Sequence, residues 1–156
     1  MTDKIDTEEW VDQYITGLID HTGLDVFIEE LSLDDEDVIH VQLAGPDSAR
    51  VIGREGQALD SLQHLVVASA IHAGARKQRI LVDVEDYRVR RENRVRDDAI
   101  HFAEEALDTG DYQDLFPMSP RERRLVHMAL ADMDGVSTES VGQGEDRFVR
   151  IVPSRQ

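Results

Sequence analysis

The first apolar residues, Trp10, Tyr14, Leu18 and Ile19, recur at the three- and four-residue spacing of one helix face. Thr7, followed by Glu8 and Glu9, reads as an N-cap with acids in the first turn, so the spacing predicts a helix over roughly 8–21 that stops near Gly23. Val26–Leu31 and Val38–Leu43 are apolar runs of strand length. The acids Asp34, Asp35, Glu36 and Asp37 between them predict a hairpin with an acidic turn. Pro46, Asp47 and Ser48 signal a very short helix ending at Gly53. After Gly56, Leu59, Leu62 and Val66 form one stripe with Ala58, Leu65 and Ala70 beside it, which predicts an amphipathic helix from Gln57 that Gly74 closes. Ile80–Val84 reads as a third strand, and a long, highly charged helix follows over roughly 86–107.

Gly110 and Pro117 punctuate the next stretch. Ser119-Pro120-Arg121-Glu122 then combines a cap, a proline at the first helical position and a glutamate at the third, predicting a helix that reaches Met133. Val136–Val141 and Arg147–Val152 alternate as two strands around Gly142-Gln143-Gly144. The order α-β-β-α-α-β, then two helices and two strands, places the chain in the α+β class. Its 156 residues suit two small domains, expected over 1–85 and over 86–156, with the long helix assigned to the second.

Composition narrows the chemistry. With no cysteine, disulfides, thiolate zinc sites and cysteine nucleophiles are excluded. The longest uncharged apolar run, Leu65–Ile71, falls far below the roughly 18–20 residues of a membrane span, and the acidic start has no apolar signal region, so the expectation is a cytoplasmic protein without membrane insertion. The six histidines lack ligand spacing, and phosphate-loop and His-Glu-x-x-His motifs are absent, so neither catalysis, nor a metal, nor any cofactor is expected.

The net charge of -16 would repel a polyanion at long range, yet it is unevenly spread. Residues 1–49 hold one base against fourteen acids, whereas residues 50–96 hold ten bases against six, among them Arg50, Arg54, Arg76, Lys77, Arg88, Arg91 and Arg94. Within that basic segment lies Val51-Ile52-Gly53-Arg54-Glu55-Gly56-Gln57. Two glycines three apart let a backbone approach a sugar-phosphate chain, and the helix that follows aims its free N–H groups at a phosphate. In this α-β-β-α-α-β setting the segment resembles a KH domain of the type II arrangement, whose GxxG loop clamps about four nucleotides of single-stranded RNA or DNA. Glu55 departs from the pattern, since it places a negative charge beside Arg54.

In the second half, Arg123 and His127 stand four apart on one helix, so both address one side of it, flanked by Arg121 and Arg124. This Ser-Pro-x-Glu-Arg-x-x-x-His stretch, with Thr138-Glu-Ser140 and Arg147-Phe-Val-Arg-Ile after it, resembles the single-stranded nucleic-acid-binding R-3-H domain. A type II KH-like domain followed by a small α/β R-3-H-like domain, joined through Tyr87-Arg88-x-Arg90-Arg91, is similar to the Jag (SpoIIIJ-associated) family of bacterial RNA-binding proteins. Longer members carry an extra N-terminal domain and a basic linker, so a short form is expected here. The resemblance implies RNA binding linked to cell elongation and envelope synthesis, with a second small KH protein as partner.

The site expected from these readings comprises Arg50, Gly53, Arg54, Glu55, Gly56, Gln57, Arg88, Arg91, Arg94, Arg121, Arg123, Arg124, His127 and Arg147. Arg88, Arg91 and Arg94 are expected to bridge the two motifs, and titration of His127 near its ordinary value of about 6.5 to make binding depend on pH. Only Tyr87 and Phe148 lie near the motifs as stacking aromatics, so sequence preference should be modest. The competing expectation is a protein–protein adaptor on the same folds, favoured by the net acidity and Glu55.

Overall fold

The computed structural model describes residues 6–75 and 78–154; Arg76 and Lys77 of the basic segment lie outside them. The chain forms two compact units that divide between Arg88 and Val89.

In the first unit, helix α1 (Thr7–Thr22) is followed by strands β1 (Phe27–Leu33) and β2 (Val38–Ala44), a one-turn helix α2 (Ser48–Ile52), helix α3 (Gln57–Ala73) and strand β3 (Arg79–Val84). The sheet order is β1-β2-β3, with β1 antiparallel and β3 parallel to β2. Alternation puts Ile39, Val41 and Leu43 of β2 and Ile80, Val82 and Val84 of β3 into one core with Val11, Ile15 and Ile19 of α1 and Leu59, Val66 and Ala70 of α3. Asp6, rather than Thr7, caps α1: its carboxylate accepts from the backbone N–H groups of Glu8 and Glu9, while Thr7 is buried. The acidic turn has its own internal logic. Asp34 accepts from the N–H groups of Glu36 and Val38, both at 2.9 Å, and its other oxygen meets His40 Nε2 at 2.8 Å.

In the second unit, helix α4 (Tyr87–Thr109), whose first two residues belong to the first unit, leads to a two-residue strand β4 (Gln113–Asp114), helix α5 (Pro120–Ala129) and strands β5 (Val136–Val141) and β6 (Phe148–Pro153). The sheet order is β4-β6-β5, antiparallel throughout. Val95, Ala99, Ala103 and Ala106 of α4 are buried with Val126 and Leu130 against Val149 and Ile151. Small alanines at that spacing let a highly charged helix lie close to a sheet along one narrow stripe. The expected helix to Met133 stops at Ala129, because Leu130 (φ -104°, ψ 1°) leaves the helical region. No helix among the described residues is long and apolar enough to cross a membrane.

Candidate nucleic-acid interface

The GxxG loop is a sharp corner between α2 and α3. Gly53 has φ 71° and ψ -170°, Glu55 has φ 52° and Gly56 has φ 82°, so three of four residues sit at positive φ. Sequence reasoning expects the missing Cβ atoms to clear room for a ligand, but the space is filled by the protein itself. A Cβ at Gly53 would lie 2.6 Å from the Ala58 Cβ, and one at Gly56 would lie 2.7 Å from Cε1 of the Tyr87 ring. The corner therefore tucks inward at its glycines and leaves Arg54 and Glu55 exposed, with Gln57 exposed beside them. Gly56 is the N-cap of α3 and supplies no side-chain acceptor to its first turn, so the positive end of that helix backs the loop. Arg50, one turn earlier, is largely exposed and only 3.6 Å from Asp47.

Several of the expected cations are already engaged. Arg88 donates to Asp60 at 2.9 Å and to the Val82 carbonyl. Arg91 Nε donates to Glu122 at 2.7 Å, and Arg121 pairs with Glu92. Glu122 has a second task, since its other oxygen accepts from the backbone N–H and the hydroxyl of Ser119 in the capping box that starts α5. Arg54, Arg94, Arg124 and Arg147 are exposed and have no ion pair among the described residues.

The Arg-x-x-x-His pair divides its roles. Half-buried Arg123 donates one guanidinium N–H to the Met118 carbonyl at 3.2 Å and keeps its other donors available. His127 is pinned at both ring nitrogens: Nδ1 lies 2.7 Å from the Thr138 hydroxyl and Nε2 3.0 Å from the Ser140 hydroxyl, both on β5. Residues two apart on a strand share a face, so the Thr138-x-Ser140 spacing carried the signal for this contact although sequence reasoning assigned those residues no role. Burial, and then the charge of Arg123, lowers the His127 pKa below its ordinary 6.5. The neutral ring fastens α5 to β5 instead of offering a positive charge.

This sets a pH dependence of stability. A histidine with a depressed pKa in the fold contributes fully above 6.5 and loses that contribution as pH falls through the folded value. Urea unfolding between pH 7.5 and 5 should show the second unit weakening toward acid, with a shallower decline in His127→Gln. An unchanged decline in that variant would exclude His127 as the cause.

The family profile for the KH domain of KhpA/KhpB matches residues 8–84, and that for the R-3-H domain matches residues 94–153. A Clostridium symbiosum protein named RNA-binding protein KhpB is 33% identical over 144 residues, covering 92% of this chain and 65% of that protein. Its Bacillus subtilis (strain 168) namesake is 26% identical over 159 residues, covering 99% and 74%. That from Lactiplantibacillus plantarum is 36% identical over 101 residues, covering 65% of this chain and only 31% of its own length. The chain thus spans less than two thirds of the Clostridium protein and under a third of the Lactiplantibacillus one. With both profiles matched in order along nearly its whole length, the chain belongs to the Jag (KhpB) family, in which a KH domain precedes an R-3-H domain.

Proposed function

We propose that this chain binds single-stranded RNA with both units. The observation that carries the reading is the exposed tip of the GxxG corner, where Arg54 stands at the uncapped positive end of α3. In the second unit Arg123 and Arg124 contact phosphate while His127 holds their helix against β5. Linking two weak sites in one chain raises the effective concentration of the second once the first is filled. The family resemblance supports, as part of the same reading, a post-transcriptional role in cell elongation and envelope synthesis with a second small KH protein as partner.

The test is fluorescence anisotropy with a short single-stranded RNA pool at several salt concentrations. Each phosphate contact removed should lower the slope of log K against log salt by about 0.7 for a single strand. Arg54→Ala and Arg124→Ala should each lose that much, and the double variant about twice as much. Glu55→Lys, which reverses the charge at the tip, should tighten binding and steepen the slope. Single-stranded DNA in the same assay decides between the two nucleic acids. A parent chain that binds neither strand would turn attention to the adaptor reading, for which the net charge of -16 and Glu55 speak.

A further inference from the structure

The second unit carries a surface apart from the helix that bears Arg123 and His127. Directly opposed residues of an antiparallel pair point to the same face, so Phe148 and Val141 share one face of the β4-β6-β5 sheet with Arg150, Glu139 and Asp114. The other face is the buried one, where Val149 and Ile151 meet α4 and α5. On the outward face the Arg150 guanidinium lies over the Tyr112 ring, 4.1 Å from its centroid, and 6.0 Å from that of Phe148. Asp114 fixes the guanidinium with two bonds of 2.6 and 2.8 Å. The guanidinium that covers one side of the Tyr112 ring is therefore held in place, while Tyr112 itself remains 57% exposed.

We infer that this face is a nucleobase-stacking platform, with Tyr112 and Phe148 taking a base of the same RNA strand. It rests on the RNA-binding reading above. The face is poorly suited to a dry protein interface, because Asp114, Arg150 and Glu139 interrupt its apolar residues. A base matches it better: a flat π surface for the rings and polar edges for the charged rim. Ring stacking accepts any base, in keeping with a modest sequence preference.

The test compares the full chain, Tyr112→Ala and Tyr112→Phe on two probes, a single-stranded RNA carrying 2-aminopurine and an abasic ribose-phosphate strand of equal length. Tyr112→Ala should bind the RNA about 5- to 150-fold more weakly, the equivalent of one stacked base. It should also lose 2-aminopurine quenching, keep its salt slope and bind the abasic strand as the parent does. Tyr112→Phe should behave as the parent. A loss of equal size on both probes would mean a structural role and overturn the platform. Unchanged RNA affinity in Tyr112→Ala would also overturn it while leaving the RNA reading intact, and the face would then belong to a protein partner. A parent that binds no RNA would overturn both readings together.

Discussion

Gly53→Ala is expected to destabilise the first unit by about 2–4 kcal/mol, from a backbone forced into a conformation reserved for glycine and from overpacking. The two causes are separable. At φ 71°, ψ -170° any Cβ is strained, and the new methyl would also stand 2.6 Å from the Ala58 Cβ. Removing the Ala58 methyl relieves only the second cause. A double-mutant cycle of Gly53→Ala with Ala58→Gly, followed by urea unfolding, should therefore return a favourable coupling of about 1–2 kcal/mol, with the remainder of the loss uncorrected. Zero coupling would mean that the corner relaxes around the methyl. For function the lesson is practical: a bulky or charged residue at either glycine disturbs the fold first, so RNA contacts are better probed at Arg54 and Glu55.

The second large effect is at Glu122. Glu122→Ala should cost the second unit about 2–4 kcal/mol, summing the loss of the carboxylate's half of the capping box, its bonds from the Ser119 N–H and hydroxyl, and of a charge-assisted bond to Arg91. The Ser119 hydroxyl still caps the helix. Both partners of that ion pair are mostly sheltered, with side-chain exposures of 21% for Arg91 and 17% for Glu122, so solvent screening removes less of it than at an open surface. Glu122→Gln keeps an acceptor for the Ser119 N–H but no charge, and should fall between parent and Ala. The same carboxylate sets an acid limit. Burial alone raises its pKa, but the Arg91 bond and the two Ser119 bonds outweigh that and hold it below its ordinary 4.5. Its contribution is therefore complete above 4.5 and is lost as pH falls through the lower folded value, a decline that Glu122→Gln should lack. Equal acid sensitivity in the two proteins would assign the acid limit elsewhere.

What was legible in the sequence was whatever short-range periodicity encodes. Helices α1 and α3, strands β2 and β3 and the capping box of α5 stand where the local pattern predicts. The buried stripe of α1, however, is Val11, Ile15 and Ile19, with the expected Trp10 and Tyr14 only partly buried beside it, and Leu65 of the expected α3 stripe is exposed. Strand β4 was illegible because two residues carry no period; it exists through its pairing with Ile151 and Arg150, some forty positions away. The candidate site divides in the same way. Motif spacing placed Arg123 and His127 on one helix, but it gave no sign that Arg88 pairs with Asp60, Arg91 with Glu122 or Arg121 with Glu92, all partners about thirty residues distant. Long-range neutralisation of that kind turns an apparent basic stripe into a few free charges. The expected bridge of Arg88, Arg91 and Arg94 thus has two members engaged in ion pairs and one, Arg94, without one among the described residues.

The Tyr87 ring lying against Gly56 ties together two positions thirty-one apart in the chain, one in the loop and one at the first residue of α4. In lineages that descend from this sequence the two should change in concert. A larger residue at position 56 becomes tolerable only after the ring at 87 has shrunk, and a smaller residue at 87 removes one of the two demands that keep glycine at 56, leaving only its φ of 82°. An order of substitution is thereby imposed, in which position 87 must move first.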